Sequence, residues 1–482
     1  MYIEGISMDG LYSSMLMRSM EEKEMQKLTV GDIKAATGGT LLCGSEDAEF
    51  YGLTTDSRAT GGGKLFIPLV GDKFDAHDFI NAAFDMGAGA ALTHKDTEPM
   101  LGKTIIKVED TRKALGDIAR YYKKKYNVPT VSVTGSVGKT TTKDMLYAVV
   151  SRKYKTLKTP GNFNNDIGLP LTVFMLEKEH EAAVLEMGMN HFGEIDYLAS
   201  IALPDIAVIT NIGMSHIENL GSREGIFKAK TEVLKYLDKD KLLVVNGDDD
   251  YLSTLKGNAP CRVVYYGITN PENDVYAKDI DDKGVSGISF TAVIEGREYP
   301  VKVNNAGVHN VYNALAAICV GMELGISVES AVEGIFNCEY TAMRMAITEE
   351  KGMTIINDCY NASPDSIRAA LSVLNSSKAK RRVAILGDVL EMGDFAAKAH
   401  YELGESVVKN NVDLLVTVGE NAAYIAKGAK DNGMENVVSF DKTLGAQSYC
   451  AKAVQEGDAV LIKASRGMHF EDIYNEITNA EE

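Results

Sequence analysis

A glycine-framed turn carries the most chemistry in this chain. The stretch VSVTGSVGKTTTKDML (131–146) runs from an apolar segment through Gly135, Ser136, Val137 and Gly138 into Lys139, Thr140 and Thr141. Backbone N–H groups at a helix start, its positive dipole end and a mobile lysine together suit a phosphate anion. The hydroxyl of Thr140, directly after the lysine, is placed to ligate Mg²⁺. The strict Walker pattern has a Gly five positions before Gly138; Val133 stands there, so this is a shortened GxxGKT form. Strand before and helix after predict a phosphate site, and the loop alone does not say which reaction follows.

Further along, Glu186 ends the run AAVLE, His216 follows DIAVITN in NIGMSHIE, and Lys230 lies in FKAKTEV. Singly, a Glu at a strand end is often solvated, an isolated His is often structural, and a helix Lys is often surface. Their succession after neighbouring strands raises a joint reading, since a carboxylate and an imidazole near phosphates are reasonable Mg²⁺ ligands. TPGNFNNDIGLPLTVF (159–174) holds Asn162, Asn164 and Asn165, a density that fits either a ligand loop or a capped turn. GVHNVYNALAA (307–317) puts His309, Asn310 and Asn313 on the first turns of a helix. NDCYNASPDS (357–366), LGDVLEMG (386–393) and KASRGMHFE (463–471) likewise crowd polar groups after apolar strands. These are solvated loop tips or a second ligand site facing the first.

The elements that must hold these residues are legible as apolar runs. TVSVTG (130–135), AAVLEMG (182–188), DIAVITNIG (205–213), KLLVVNGD (241–248), RVAILGD (382–388), VDLLVTVG (412–419) and DAVLIKAS (458–465) each precede a helical pattern. Continuous apolar runs alternating with helices predict parallel sheets covered on both faces, with ligands outside the carboxyl ends of the strands. The interval from Cys261 to Val303 differs and predicts a small antiparallel insert. Boundaries near 108 and 338 give three α/β units, 27–108, 109–338 and 339–482, behind an extension over 1–26 that reads as frayed or weakly helical.

Three units agree with 482 residues at roughly 150 per domain. Fifty Lys and Arg against 68 Asp and Glu leave a net charge of −18, which argues against a general nucleic-acid binder. Hydrophobic content of 45% and charged content of 24% exclude wholesale disorder. Six cysteines without a CxxC pair read as free thiols in a reducing cytoplasm. No apolar stretch reaches the roughly 18 residues of a membrane span, and the first 25 residues lack a signal-peptide pattern. The expectation is a cytoplasmic monomer.

Taken together, the segments resemble the Mur ligases over roughly residues 27–475. The resemblance rests on TTDSRAT with FIPLVGDKFDAHDFI, TGSVGKTT, GNFNNDIGLPLT, LEMGMNHFGEI, ITNIGMSHIENLGSREGIFKAKTE, GVHNVYNALAA, YNASPDS, LGDVLEMG and KASRGMHFEDI, in that order. It implies a central parallel-sheet P-loop ATPase domain between an N-terminal α/β UDP-sugar-binding domain and a C-terminal Rossmann-like domain. It further implies an ATP-dependent amide ligase working through an acyl phosphate on UDP-MurNAc-tripeptide and D-alanyl-D-alanine. YNASPDS favours that dipeptide-adding branch, and the Asp-Asn-Pro-Arg stretch usual in the diaminopimelate-adding branch is not found. A folylpolyglutamate-synthetase-type ligase and a P-loop nucleotide-binding module without catalysis are the rival readings.

By the resemblance, Gly135 to Thr141 form the ATP phosphate loop, with Thr140 and Glu186 on one Mg²⁺ and His216 on a second. Lys230 matches a lysine carried as a carbamate, which requires a neutral amine and hence a depressed pKa. Asn310 and Asn313 match adenine-side residues, and Arg344 and Asp358 match groups that close onto the nucleotide. Asp56, Ser57 and Arg58, with Asp75 and His77, match residues that receive the UDP-sugar. Asn164 and Asn165 are further substrate-side candidates, and Tyr360, Asn361 and Asp365 match the stretch near the incoming dipeptide. Asn357, Ser363 and Ala464 depart from the family pattern, where Asp, Asn and Gly are usual.

Overall fold

The computed structural model describes residues 25–71 and 74–479. The extension expected over 1–26 lies outside the described residues except for its last two. Those two are docked: Met25 is buried, and the Gln26 backbone N–H donates to the Tyr122 hydroxyl at 3.1 Å.

The described residues form two compact units. The first comprises the described residues up to Thr130 with Lys155–Met187 and Asp196–Pro204. Its five-stranded sheet runs in the order Thr40–Cys43, Ile105–Lys107, Ala90–Thr93, Leu65–Phe66, Leu53–Thr54, antiparallel at the first pairing and parallel thereafter. The helix Thr111–Lys124 belongs to this unit by packing. Its N-cap Asp110 accepts from the Lys113 N–H, and Ala114, Leu115, Ile118, Ala119 and Tyr122 form a buried stripe at helical spacing. Strand Ala182–Glu186, buried at every position, pairs in parallel with Thr156–Lys158.

The second unit, Val131–Tyr154 with Gly188–Ile195 and the described residues from Asp205 onward, contains two sheets. In one, the strand Thr130–Thr134 pairs in parallel with Ile206–Ile209, followed in order by Leu242–Asn246, Arg262–Gly267 and Val275–Asp282. Antiparallel Ile288–Ile294 and Arg297–Val303 complete it. The expected antiparallel insert is therefore a hairpin extension of the main sheet, and Arg262–Gly267 lies on its parallel side. That strand's mixed burial resembles an antiparallel pattern because it is only part covered.

The other sheet orders Ala346–Glu350, Met353–Asn357, Asp458–Lys463, Arg381–Gly387, Leu414–Val418 and Val437–Phe440, with only the first pairing antiparallel. Val383, Ile385, Val416, Val460 and Ile462 pack with Phe470 and Ile473 into its core. All seven apolar runs are strands, and helix Val328–Phe336 ends just before Cys338.

Candidate active site

The loop after Thr134 is shaped by what it must avoid. Gly135 has φ +147°, and a Cβ there would lie 1.8 Å from Thr210 Oγ1, so only glycine fits. Gly138 has φ +86°, with a Cβ position 3.0 Å from Asn313 Oδ1. The helix Lys139–Val150 opens on Gly138 without a side-chain cap, so its first-turn N–H groups face a ligand position. Lys139 folds its ammonium back onto the Gly135 and Ser136 carbonyls at 2.9 and 3.3 Å.

The segment 210–215 holds the loop from beside. Thr210 Oγ1 and Asn211 Nδ2 donate to the Val137 carbonyl at 2.7 and 2.9 Å, and Val137 N–H donates to Asn211 Oδ1 at 3.0 Å. Gly213 N–H donates to Ser136 Oγ at 2.9 Å. Thr210 and Asn211 were missed by sequence reasoning. Their signal was a polar pair closing an apolar strand beside the loop strand.

Lys230 ends the helix Arg223–Lys230, which Ser222 caps by accepting from Gly225 N–H at 3.1 Å. Only 1% of Lys230 is exposed, and burial, then the charge of Lys139, pushes its amine well below the usual lysine value. The depressed amine that a carbamate requires is thus present. In the first unit Glu186 is equally buried; Asn164 Nδ2 donates to its Oε1 at 2.8 Å, and its backbone N–H donates to Thr159 Oγ1 at 2.9 Å. Asn165 instead accepts from the Ile167 and Gly168 N–H groups at 3.2 and 2.8 Å, a turn-capping role.

His216, at φ +64°, directs Nδ1 to the Glu391 carboxylate, which that contact holds below its usual range. Among the described residues no three His, Cys, Asp or Glu groups converge into a metal cage. A Mg²⁺ that arrives on nucleotide phosphates needs only one or two protein oxygens, and the Thr140 hydroxyl and the Glu186 carboxylate are hard donors of that kind.

Asn310 and Asn313 brace the loop helix. Asn310 Nδ2 donates to the Ala306 carbonyl at 2.7 Å, Asn313 Nδ2 to Asn310 Oδ1 at 3.0 Å, and Thr142 Oγ1 to Asn313 Oδ1 at 3.0 Å. Both asparagines are buried. Asp358 accepts from Met345 N–H at 3.1 Å and pairs with buried Lys463, which also donates to the Asn361 carbonyl at 2.9 Å. The Arg344 guanidinium stacks 3.9 Å from the Tyr360 ring centroid, with Arg466 at 5.7 Å. Asp365 accepts from the Met214 N–H at 3.3 Å, so the 357–366 stretch reaches the segment that holds the phosphate loop.

In the first unit, Asp56 grips Arg58 through Nε and NH2 at 2.9 and 2.7 Å, while the Arg58 side chain stays 86% exposed. Ser57 follows, its carbonyl accepting from Thr60 Oγ1 at 3.4 Å. Asp75 caps the turn Ala76–Phe79, meeting His77 Nδ1 at 2.7 Å and Lys95 at 2.8 Å. Lys95, then His77 N–H, holds the Asp75 carboxyl far below the usual carboxylate range, and burial lowers His77.

Fold and site define the class: an α/β nucleotide-type protein whose phosphate loop neighbours a lysine that burial and the charge of Lys139 hold below the usual lysine range. Three family models match in order, the Mur ligase family catalytic domain over 49–123, the Mur ligase middle domain over 133–321 and the Mur ligase glutamate ligase domain over 343–466. The chain belongs to the Mur ligase family. It is 40% identical over 458 residues to the UDP-N-acetylmuramoyl-tripeptide–D-alanyl-D-alanine ligase of Bacillus subtilis (strain 168), covering 94% of this chain and 99% of that protein. A crystal structure of MurF from Acinetobacter baumannii matches with a TM-score of 0.88 at 31% identity, covering 95% of this chain and 100% of that one. MurF ligase from Thermotoga maritima, solved in complex with ADP, matches with a TM-score of 0.80 at 29% identity over 89% of this chain and 97% of its own.

Proposed function

We infer that this chain is an ATP-dependent, ADP-forming ligase that joins D-alanyl-D-alanine to UDP-N-acetylmuramoyl-tripeptide in peptidoglycan precursor synthesis. End-to-end similarity to ligases named for that reaction supports the substrates. Lys230, buried beside Lys139, is the observation that carries chemistry over passive nucleotide binding, because burying an amine next to another cation costs stability and passive binding has no need of it.

The chemistry follows from what an amide bond demands. A free carboxylate is a poor electrophile, so its oxygen first takes the terminal phosphoryl group of ATP, and ADP leaves. The dipeptide amine then attacks the carbonyl carbon, the C–O bond to phosphate breaks, and the amine loses a proton as phosphate departs. The loop 135–141 holds the phosphates through backbone N–H groups, and Lys139 supplies a cation for the transferred group. Thr140, His216 and a carbamate on Lys230, together with Glu186, would hold two Mg²⁺ ions, which would supply neutralisation of phosphate charge. The carbamate forms when neutral Lys230 attacks CO₂ and sheds a proton.

Arg344, stacked on Tyr360, and Asp358, tied to Lys463, serve nucleotide closure, while Asn310 and Asn313 act by bracing the loop helix. Tyr360, Asn361 and Asp365 border the dipeptide. Asp56, Ser57, Asp75 and His77 shape a surface on which the exposed Arg58 meets the UDP-sugar, and Asn164 sets the Glu186 carboxylate. These roles divide the chain into functional segments 27–108, 109–338 and 339–482. Six free cysteines fit a reducing cytoplasm, and among the described residues no helix is long and apolar enough to cross a membrane. The decisive assay is phosphate release with ATP, Mg²⁺, tripeptide nucleotide and D-Ala-D-Ala, each omitted in turn. Turnover is expected only with all four, and turnover with a single amino acid in place of the dipeptide would overturn the assignment.

A further inference from the structure

Three contacts join the segment 213–218 to the C-terminal part of the second unit. Met214 N–H donates to Asp365 Oδ2 at 3.3 Å, Glu218 N–H donates to the Glu391 carbonyl at 3.2 Å, and His216 Nδ1 meets Glu391 Oε2. Glu218 also packs closely on Gly393, where a Cβ would come within 3.1 Å of its Cγ. Both partners of the side-chain contact sit in the left-handed region, His216 at φ +64° and Glu391 at φ +61°. Non-glycine residues rarely adopt that conformation, and it persists where surroundings over-determine it. An ordinary surface ion pair between flexible side chains requires neither backbone to be so constrained. Here the backbone of each residue aims its side chain at the other.

We propose that Glu391 is a positioning residue that acts through His216. By accepting the Nδ1 proton it selects one tautomer, so that Nε2 carries the lone pair available to a divalent cation. The proposal rests on the ligand role given to His216 above, and goes beyond it by making that role depend on a carboxylate from the C-terminal sheet's loop. A carboxylate behind a ligating imidazole fixes ring orientation and raises its basicity, and its loss typically weakens metal affinity or activity by about 10- to 100-fold.

The test measures Mn²⁺ binding by electron paramagnetic resonance on the full chain with ADP, without tripeptide or dipeptide. Glu391→Ala is expected to weaken Mn²⁺ binding by about 10- to 100-fold, and Glu391→Gln, whose carbonyl still accepts the proton, by less. Glu391→Gly removes the carboxylate while relieving the positive φ, so it separates lost function from lost folding and should match the alanine variant. Adding Glu391→Ala to His216→Ala should change nothing further. In ligation, kcat is expected to fall in Glu391→Ala while the KM for D-Ala-D-Ala holds. Mn²⁺ affinity within about twofold of wild type in Glu391→Ala, or effects of the two substitutions that add, would overturn the proposal. Failure of the ligase reading shows separately, as absence of dipeptide-dependent phosphate release by the wild-type protein.

Discussion

Lys230 is held at the end of a helix with 1% of its surface exposed, and burial and Lys139 both oppose its charge. The unfolded lysine titrates near 10.5 and the buried one lower, so between those values the unfolded state holds more protons and stability climbs with pH. In CO₂-free buffer, Lys230→Met is therefore expected to stabilise the fold by about 1–3 kcal/mol at pH 7, with the gain vanishing as pH passes the unfolded value. Denaturant melts across pH check this, and a gain that grows toward alkaline pH would contradict it. Activity should move the other way: Lys230→Ala should abolish ligation, and short carboxylic acids should partly restore it. Unchanged activity in Lys230→Ala would remove the carbamate from the mechanism. The need for a depressed amine was readable from the sequence because the family motif names the chemistry. The contact of His216 with Glu391 was not, because it joins two left-handed residues in loops far apart in sequence, and no local pattern encodes such a pair. Gly135 was readable as a turn glycine, but its reason, the Thr210 hydroxyl 1.8 Å from a would-be Cβ, lies on another strand. Gly135→Ala is expected to cost about 1–3 kcal/mol and to remove ADP binding, both readable by calorimetry.

Elements were easiest to read where both faces of a strand are covered. Ala182–Glu186 and Asp458–Lys463 are buried throughout, so their apolar runs announce them. Arg262–Gly267 exposes one end, and its mixed pattern disguised a parallel strand as part of an antiparallel insert. Long-range ties between elements leave still less trace. Asp144, on the phosphate-loop helix, is 1% exposed and accepts from Thr341 N–H at 2.9 Å and from its hydroxyl at 2.8 Å. Thr341 begins the stretch TAMRM, in which Met343 and Met345 have φ +57° and +53° on either side of Arg344. The tie fixes where that strained stretch leaves the helix, and hence where Arg344 starts. Thr341→Val and Asp144→Ala are each expected to destabilise the fold, with a coupling of about 1–3 kcal/mol in the double-mutant cycle. Additive effects would mean that the two residues act independently. Each variant should also raise the KM for ATP more than that for D-Ala-D-Ala, since Asp144 sits on the element that carries Lys139.

For the whole molecule, the net charge of −18 opposes the approach of anionic substrates, so the function proposed above requires local binding devices, for which the 135–141 loop, Lys139, Arg58 and Arg344 are the candidates. Segmentation is likewise a matter of local packing. A boundary at 108 cuts between a strand and the next helix, yet Thr111–Lys124 packs with the first unit. Tyr121 donates to Asp32 at 2.6 Å, Lys125 reaches the same carboxylate at 3.0 Å, and Tyr122 receives the Gln26 N–H at 3.1 Å. A chain ending at 108 would leave Asp32 without two of its partners and the Gln26 N–H without the Tyr122 hydroxyl. Each hydrogen bond so lost contributes about 0.5–1.5 kcal/mol, and a short domain has little stability to lose. A fragment of residues 25–108 is therefore expected to give a less dispersed amide spectrum by NMR, and to melt more readily, than one of residues 25–127, which keeps these bonds. An equally dispersed spectrum from the shorter fragment would place the folding boundary ahead of the helix, which would then be a connector that merely rests on the first unit.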